Sequence, residues 1–150
     1  MPDTYTQIHI HIIFAVARRQ CLIHAGIKDN LYKYITGIIQ QQGHKLLAIN
    51  GMPDHIHILI GLRPETALSD LVRDIKSSSS KHVNNEKWLQ RKFAWQKGYG
   101  AFSYARSQLP AVIRYIRNQE EHHSRRTFQE EYLKTLQLFD VEYDPEYVFK

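Results

Sequence analysis

A single cysteine, Cys21, stands among the 150 residues. No intramolecular disulfide can form, and a zinc site built on cysteines is excluded. The opening Met1-Pro2-Asp3-Thr4-Tyr5 lacks the charged segment and apolar run of a secretory signal. No apolar run approaches the roughly 20 residues of a membrane-spanning helix. The expectation is a cytoplasmic protein with no membrane segment. Internal repeats are missing, and so is a clear linker. Ser77 to Ser80 could pass for one, but the flanking Lys76 and Lys81 fit the polar end of a helix better. One domain spanning residues 1–150 follows.

Hydrophobic residues make up 43% and charged residues 23%, a balance that excludes a disordered chain. The charge is uneven. Residues 63–126 hold thirteen Lys/Arg against six Asp/Glu, whereas residues 127–150 hold two against six. A basic middle is what a phosphate-binding surface needs.

Ile8 to Ala17 reads as a strand, with Ile8, Ile10 and Ile12 on one face and His9, His11 and Ile13 on the other. Gly26 to about Gln42 turns helical, with Ile27, Leu31, Tyr34, Ile35, Ile38 and Ile39 at threes and fours and Gly43 placed to stop it. Lys45 to Asn50 and His55 to Leu62 read as a hairpin about an Asn50–Asp54 turn, where Asn-Gly allows positive φ. Thr66 or Ser69 caps a second helix running to His82. Phe93 to Tyr104 reads as a strand or irregular hairpin. A third helix, about 107–123, carries Pro110 in its first turn, and a further helix covers about 126–138. The acidic, aromatic tail from Asp140 docks back on the body. The order predicts an α+β fold, the ferredoxin-like β-α-β-β-α-β antiparallel sheet with added C-terminal helices.

His55-Ile56-His57 opens a strand just after a turn. Alternation puts both imidazoles on one face, their Cα atoms about 6.5–7 Å apart, while Ile56, Ile58 and Ile60 face the core. Two such rings can grip one divalent ion and leave positions open for substrate oxygen. His9-Ile10-His11 repeats the spacing on the first strand. In a ferredoxin-like sheet the first and third strands are neighbours, so four histidines can share one face. His11 is the candidate for an outer-sphere or phosphate-contacting role, and His9 is the weaker one. Tyr115 and Gln119, four apart, fall on one side of the third helix. Arg114 and Arg117 flank them, and His122 and His123 follow. A phenol can act as a nucleophile, but with an ordinary pKa near 10 it needs a metal or nearby cations.

These residues resemble a known family. Met52-Pro53-Asp54-His55-Ile56-His57 is similar to the HUH (His-hydrophobe-His) motif of single-tyrosine transposases of the insertion-sequence 200/605 type, which include REP-associated tyrosine transposases. Tyr115-Ile116-Arg117-Asn118-Gln119 resembles their Tyr-x-x-x-Gln motif. Tyr5 to Arg19, Trp95 to Ser103 and Asn118 to His123 are also similar, so the resemblance covers nearly the whole chain. It implies a divalent metal, Mg or Mn, on His55, His57 and Gln119, with Tyr115 as nucleophile. It implies cleavage and rejoining of single-stranded DNA with hairpin ends through a 5′-phosphotyrosine link. Ester is exchanged for ester, so no nucleotide cofactor is needed. A homodimer with joined sheets is implied as well.

Arg18, Arg19, Lys76, Lys81, Lys97 and Arg106 are the candidates for phosphate contacts. Tyr99, Phe102 and Tyr104 are candidates for stacking on unpaired bases. The alternative is a non-catalytic single-stranded nucleic-acid binder on the same fold. Other HUH nucleases are usually longer and often carry a third histidine or second tyrosine in the motif. A hydrolase using the histidines alone would not need Tyr115.

Overall fold

The computed structural model describes residues 3–123 and 126–149. Among the described residues, four strands and five α-helices follow in the order strand, helix, two strands, helix, strand and three helices. Strand β1 is His9–Ala15, β2 is Lys45–Met52, β3 is His55–Gly61 and β4 is Gly100–Ser103. They form one sheet in the order β2-β3-β1-β4, with every neighbouring pair antiparallel. This is the expected ferredoxin-like order, and it places β1 and β3 in the centre. Ile13 pairs with His57 and Ala15 with His55.

Alternation sorts the side chains to two faces. Ile12, Phe14, Ile56, Ile58 and Ile60 pack against Leu31, Ile35 and Ile39 of α1 (Ala25–Gln41) and Leu71, Val72 and Ile75 of α2 (Leu68–Asn85). Each such side chain buried is worth about 1.5–3 kcal/mol. The opposite face carries the histidines and is covered by the later helices. Ala48 and Leu59 meet Val112 and Ile116 of α3 (Leu109–Arg117). Ile13, Ala15 and Phe102 meet Phe128, Tyr132 and Leu136 of α5 (Phe128–Leu138). Between them lies the short α4, Gln119–His123. The side chains of His122 and His123 lie outside the described residues.

Gly43 ends α1 with φ +87°, the left-handed value only glycine adopts freely. Ser77 to Ser80 is helical, and buried Ser79 accepts from the Trp95 indole at 2.9 Å. The tail docks as expected, with Val148 and Phe149 packed on the α5 cluster.

Several local expectations change. The β2–β3 turn is tighter than Asn50–Asp54, because Asn50, Gly51 and Met52 pair with His57, Ile56 and His55. Gly51 is needed for close approach rather than positive φ: a Cβ there would fall on the His55 carbonyl oxygen and 2.9 Å from the Ile56 Cα. Neither Thr66 nor Ser69 caps α2; its N-cap is Ala67, with no side-chain bond. Only Gly100–Ser103 of the aromatic stretch is strand, while Trp95 makes an isolated bridge to Val16. The region from 107 to 123 is not one helix. A 3₁₀ turn, Arg106–Gln108, leads into α3, and the chain breaks at Asn118 (φ −100°, ψ 29°) before α4.

Candidate active site

The floor of the site is the polar face of the two central strands. His11 comes from β1, and His55 and His57 from β3; none is more than 2% exposed. Burial of three imidazoles demands partners for their nitrogens. Asp54, the last turn residue, supplies the first: the Nδ1–H of His55 donates to its Oδ1 at 2.7 Å. That contact orients the ring and turns Nε2 of His55 toward Gln119 and Glu131. Nε2 of His11 and Nδ1 of His57 are 2.8 Å apart. Nε2 of His57 points the other way, 2.9 Å from Oε1 of Glu131 on α5.

The α3–α4 break delivers Gln119. The Asn50 side-chain amide of β2 donates to the carbonyls of Ile116 and Arg117, each at 3.0 Å, and so satisfies groups that the helix end leaves open. Gln119 then turns inward and is fully buried. Its amide nitrogen donates to the Tyr115 carbonyl at 3.4 Å, which aims its oxygen at Nε2 of His55, also 3.4 Å away. The same Nε2 lies 3.8 Å from Oε1 of Glu131. An imidazole nitrogen, an amide oxygen and a carboxylate oxygen thus converge on one point. The ligand atoms of His55, His57 and Glu131 all lie within 4.8 Å of one another. This donor set, mixed nitrogen and oxygen, suits a divalent cation.

Tyr115 completes the cluster from α3. Its ring stands nearly perpendicular to that of His57, with centroids 5.7 Å apart. Burial, then the charge and hydrogen bond of Glu131, push its pKa up, against a smaller downward pull from Gln119. His11 is held well below the ordinary imidazole value, by burial first and then by His57, with Glu131 partly opposing.

The structure therefore unites Tyr115, His55, His57, Gln119 and His11. His9 is apart, paired with Gly61 at the far end of β1. The cations expected at phosphates scatter. Arg18 and Arg19 follow β1 in left-handed backbone (φ 58° and 53°), and the Arg19 guanidinium sits over the Phe149 ring. Lys76 and Lys97 line a groove with Arg73 between α2 and the 94–99 loop, on the sheet face away from the histidines. Lys76 donates there to the Gln96 and Gly98 carbonyls, and its burial lowers its pKa to about 8. Lys81 is exposed on α2 and Arg106 on the turn before α3. Phe102 does not stack outward: it is 4% exposed and packs on Phe139. Tyr99 is exposed, and half-buried Tyr104 stands near His11, with centroids 6.1 Å apart.

Sequence reasoning missed Asp54 and Glu131. Asp54 was visible as the acid directly before the histidine pair. Glu131 had no motif, only its place in an acidic segment expected to fold back. No described helix is long and apolar enough to cross a membrane.

The chain is similar to known proteins in sequence and in fold. Residues 4–119 match the family described as "Transposase IS200 like". The ISDra2 transposase TnpA of Deinococcus radiodurans is 23% identical over 120 residues, covering 77% of this chain and 86% of its own. A crystal structure of a Deinococcus radiodurans protein described as a transposase superposes with TM-score 0.64 at 23% identity, covering 79% of this chain and 95% of that one. A REP-associated tyrosine transposase bound to a REP hairpin superposes with TM-score 0.62 at 15% identity, covering 82% and 73%. With more than half its length matched by the family model, the chain belongs to the IS200-like transposases, a family of DNA-processing enzymes.

Proposed function

We propose that the protein cuts and rejoins single-stranded DNA with Tyr115, through a covalent 5′-phosphotyrosine link. The observation that carries this is the convergence of Tyr115, His55, His57 and Gln119 within one chain. His55, His57 and Gln119 would hold Mg²⁺ or Mn²⁺, with Glu131 as a further donor. When bound, such an ion withdraws charge from a phosphate oxygen and orients the phosphate.

The chain's own residues supply the rest. The Tyr115 oxygen attacks phosphorus; a new O–P bond forms and the bond to the 3′-oxygen breaks, releasing a 3′-hydroxyl. Glu131, hydrogen-bonded to the phenol, is placed to accept its proton, which passes on to the leaving oxygen. A second 3′-hydroxyl then attacks the phosphotyrosine and frees the phenol. Without a cation, the carboxylate of Glu131 keeps the phenol protonated. A divalent ion held by His55, His57 and Gln119 would offset that charge and favour loss of the phenolic proton.

Hairpin recognition at the DNA ends is part of the proposal, supported by the hairpin-bound neighbour of the same fold. A homodimer joined through its sheets is proposed too, although the tyrosine already reaches the histidines of its own chain. The test is incubation with single-stranded DNA from the flanking genome and Mn²⁺, followed by denaturing electrophoresis. A protein–DNA adduct should form with the wild type and vanish in Tyr115→Phe. Cleavage by Tyr115→Phe would assign the chemistry to water activated at the histidines. Binding by both chains with no adduct from either would leave the non-catalytic binder.

A further inference from the structure

The first turn of α5 lies across the two histidines of β3. Thr127 caps the helix, its hydroxyl accepting from the Glu130 N–H at 3.2 Å, so the next residue, Phe128, starts the helix in a fixed direction. Phe128 and Glu131 are three positions apart and share one side of the helix. Glu131 meets Nε2 of His57 at 2.9 Å. Phe128 meets His55: the ring centroids are 4.5 Å apart and the planes 33° apart. Phe128 is buried, and its ring is held in turn by others. Tyr132 stacks on it with centroids 5.4 Å apart, and Phe149 of the tail adds a further ring at 6.3 Å.

A buried imidazole is steered by its edges and by its faces. On His55 the edge contact is the hydrogen bond from Nδ1 to Asp54 at 2.7 Å. One such bond leaves the ring able to rock about the contact, and rocking carries Nε2 through an arc. Nε2 is the atom that faces the Gln119 oxygen at 3.4 Å and the Glu131 carboxylate at 3.8 Å. A second ring packed on the face opposes that motion, because a tilting imidazole would press into close-packed carbon. His57 has rings of its own for this purpose, stacked His11 at 5.0 Å and perpendicular Tyr115 at 5.7 Å. For His55, Phe128 supplies the support from a helix that carries neither the His-x-His nor the Tyr-x-x-x-Gln motif.

We propose that Phe128 is a positioning residue of this centre: its ring sets the plane of the His55 imidazole and so keeps Nε2 aimed at the point shared with Gln119 and Glu131. Its effect on metal affinity rests on the reading that His55, His57 and Gln119 hold a divalent cation.

Two measurements test it. In the first, histidine-labelled protein is observed by NMR in EDTA, so that no cation takes part. Protons held over an aromatic face are shifted upfield, and the His55 ring protons should be displaced in this way in the wild type. Phe128→Leu keeps an apolar side chain but no ring; there the displacement should be lost. The signals of His44, which precedes β2 at the opposite end of the sheet, should stay in place. In the second, calorimetry compares Mn²⁺ binding at a temperature where every chain is folded. Phe128→Leu should bind about twofold to tenfold more weakly, the range that an aromatic contact is worth. Phe149→Ala takes a ring from the same cluster and should lower Tm while keeping the wild-type affinity. An unchanged His55 displacement in Phe128→Leu would overturn the proposal, as would equal affinity of Phe128→Leu and the wild type. An equal loss of affinity in Phe149→Ala would overturn it too, since the whole cluster would then act as general support. Loss of the displacement in Phe128→Leu, with no Mn²⁺ bound by the wild type, would remove the metal reading and leave Phe128 as the residue that sets the ring.

Discussion

Oδ1 of Asp54 accepts the Nδ1 proton of His55 at 2.7 Å, and this contact turns the other ring nitrogen toward Gln119 and Glu131. Asp54 sits in the two-residue turn between β2 and β3, so the hairpin that positions the histidine pair also orients it. Removing such an outer partner usually costs about 10-fold to 100-fold in metal affinity. Asp54→Ala should therefore weaken Mn²⁺ binding by that factor in calorimetry. Asp54→Asn, which keeps an acceptor oxygen, should lose less. Equal affinity for Asp54→Ala and the wild type would show that the ring needs no such orientation.

Much of this site was legible because short-range periodicity is enough to place it. Alternation alone put His55 and His57 on one face, and chain order alone made β1 and β3 neighbours. Glu131 was not legible, because its approach to His57 depends on α5 packing across the sheet through Phe128, Tyr132 and Leu136. No local spacing encodes that contact. The break at Asn118 was missed for a similar reason. Its stabilising partner, Asn50, lies 68 positions earlier, and the i, i+4 spacing of Tyr115 and Gln119 suits a continuous helix equally well.

The burial of His11 has a consequence for acid stability. The folded chain holds this ring neutral, with a pKa well below the ordinary 6.5. Below about pH 6.5 the unfolded chain binds a proton that the folded one refuses, so stability is complete above that pH and falls on acidification. The slope reaches at most about 1.4 kcal/mol per pH unit. His44 is shifted the same way by burial and Arg63, so the wild-type curve contains both. The difference between the wild type and His11→Gln isolates His11. In urea titrations with EDTA, the variant should lose less stability between about pH 6.5 and 4.5. Parallel curves would contradict a neutral, buried His11.

Gly51 offers a test of packing. An added Cβ would meet the carbonyl oxygen of His55 and the Cα of Ile56, both backbone atoms that cannot rotate away. Overpacking of this kind typically costs about 1–3 kcal/mol. Because β3 must shift to relieve it, Gly51→Ala should also move the His55 ring relative to Gln119 and Glu131. The expected result is a lower Tm together with weaker Mn²⁺ binding at a temperature where the variant is still folded. A lower Tm with unchanged affinity would confine the strain to the hairpin.

Asn50 gives the sharpest separation of fold from chemistry. Its amide nitrogen donates to the carbonyls of both Ile116 and Arg117, and it lies opposite His57 in the β2–β3 register. One side chain therefore ties the histidine strand to the point where the tyrosine helix ends. Loss of the amide leaves two carbonyls to find water, at a cost of about 1–3 kcal/mol. It also frees the Arg117–Gln119 backbone to continue as a straight helix, which draws the Gln119 oxygen off its line toward His55. Asn50→Ala should slow adduct formation about tenfold or more, since misplacement of roughly 1 Å at such a site can cost 10²-fold. Affinity for single-stranded DNA in EDTA should change little, because no proposed DNA contact is touched. Asn50→Asp discriminates further. It matches asparagine in size but presents carboxylate oxygens to carbonyl oxygens, so it should be at least as slow as Asn50→Ala. An Asn50→Asp variant that reacts at the wild-type rate would mean that the break at Asn118 holds itself, and that Gln119 owes its position to α5 rather than to β2.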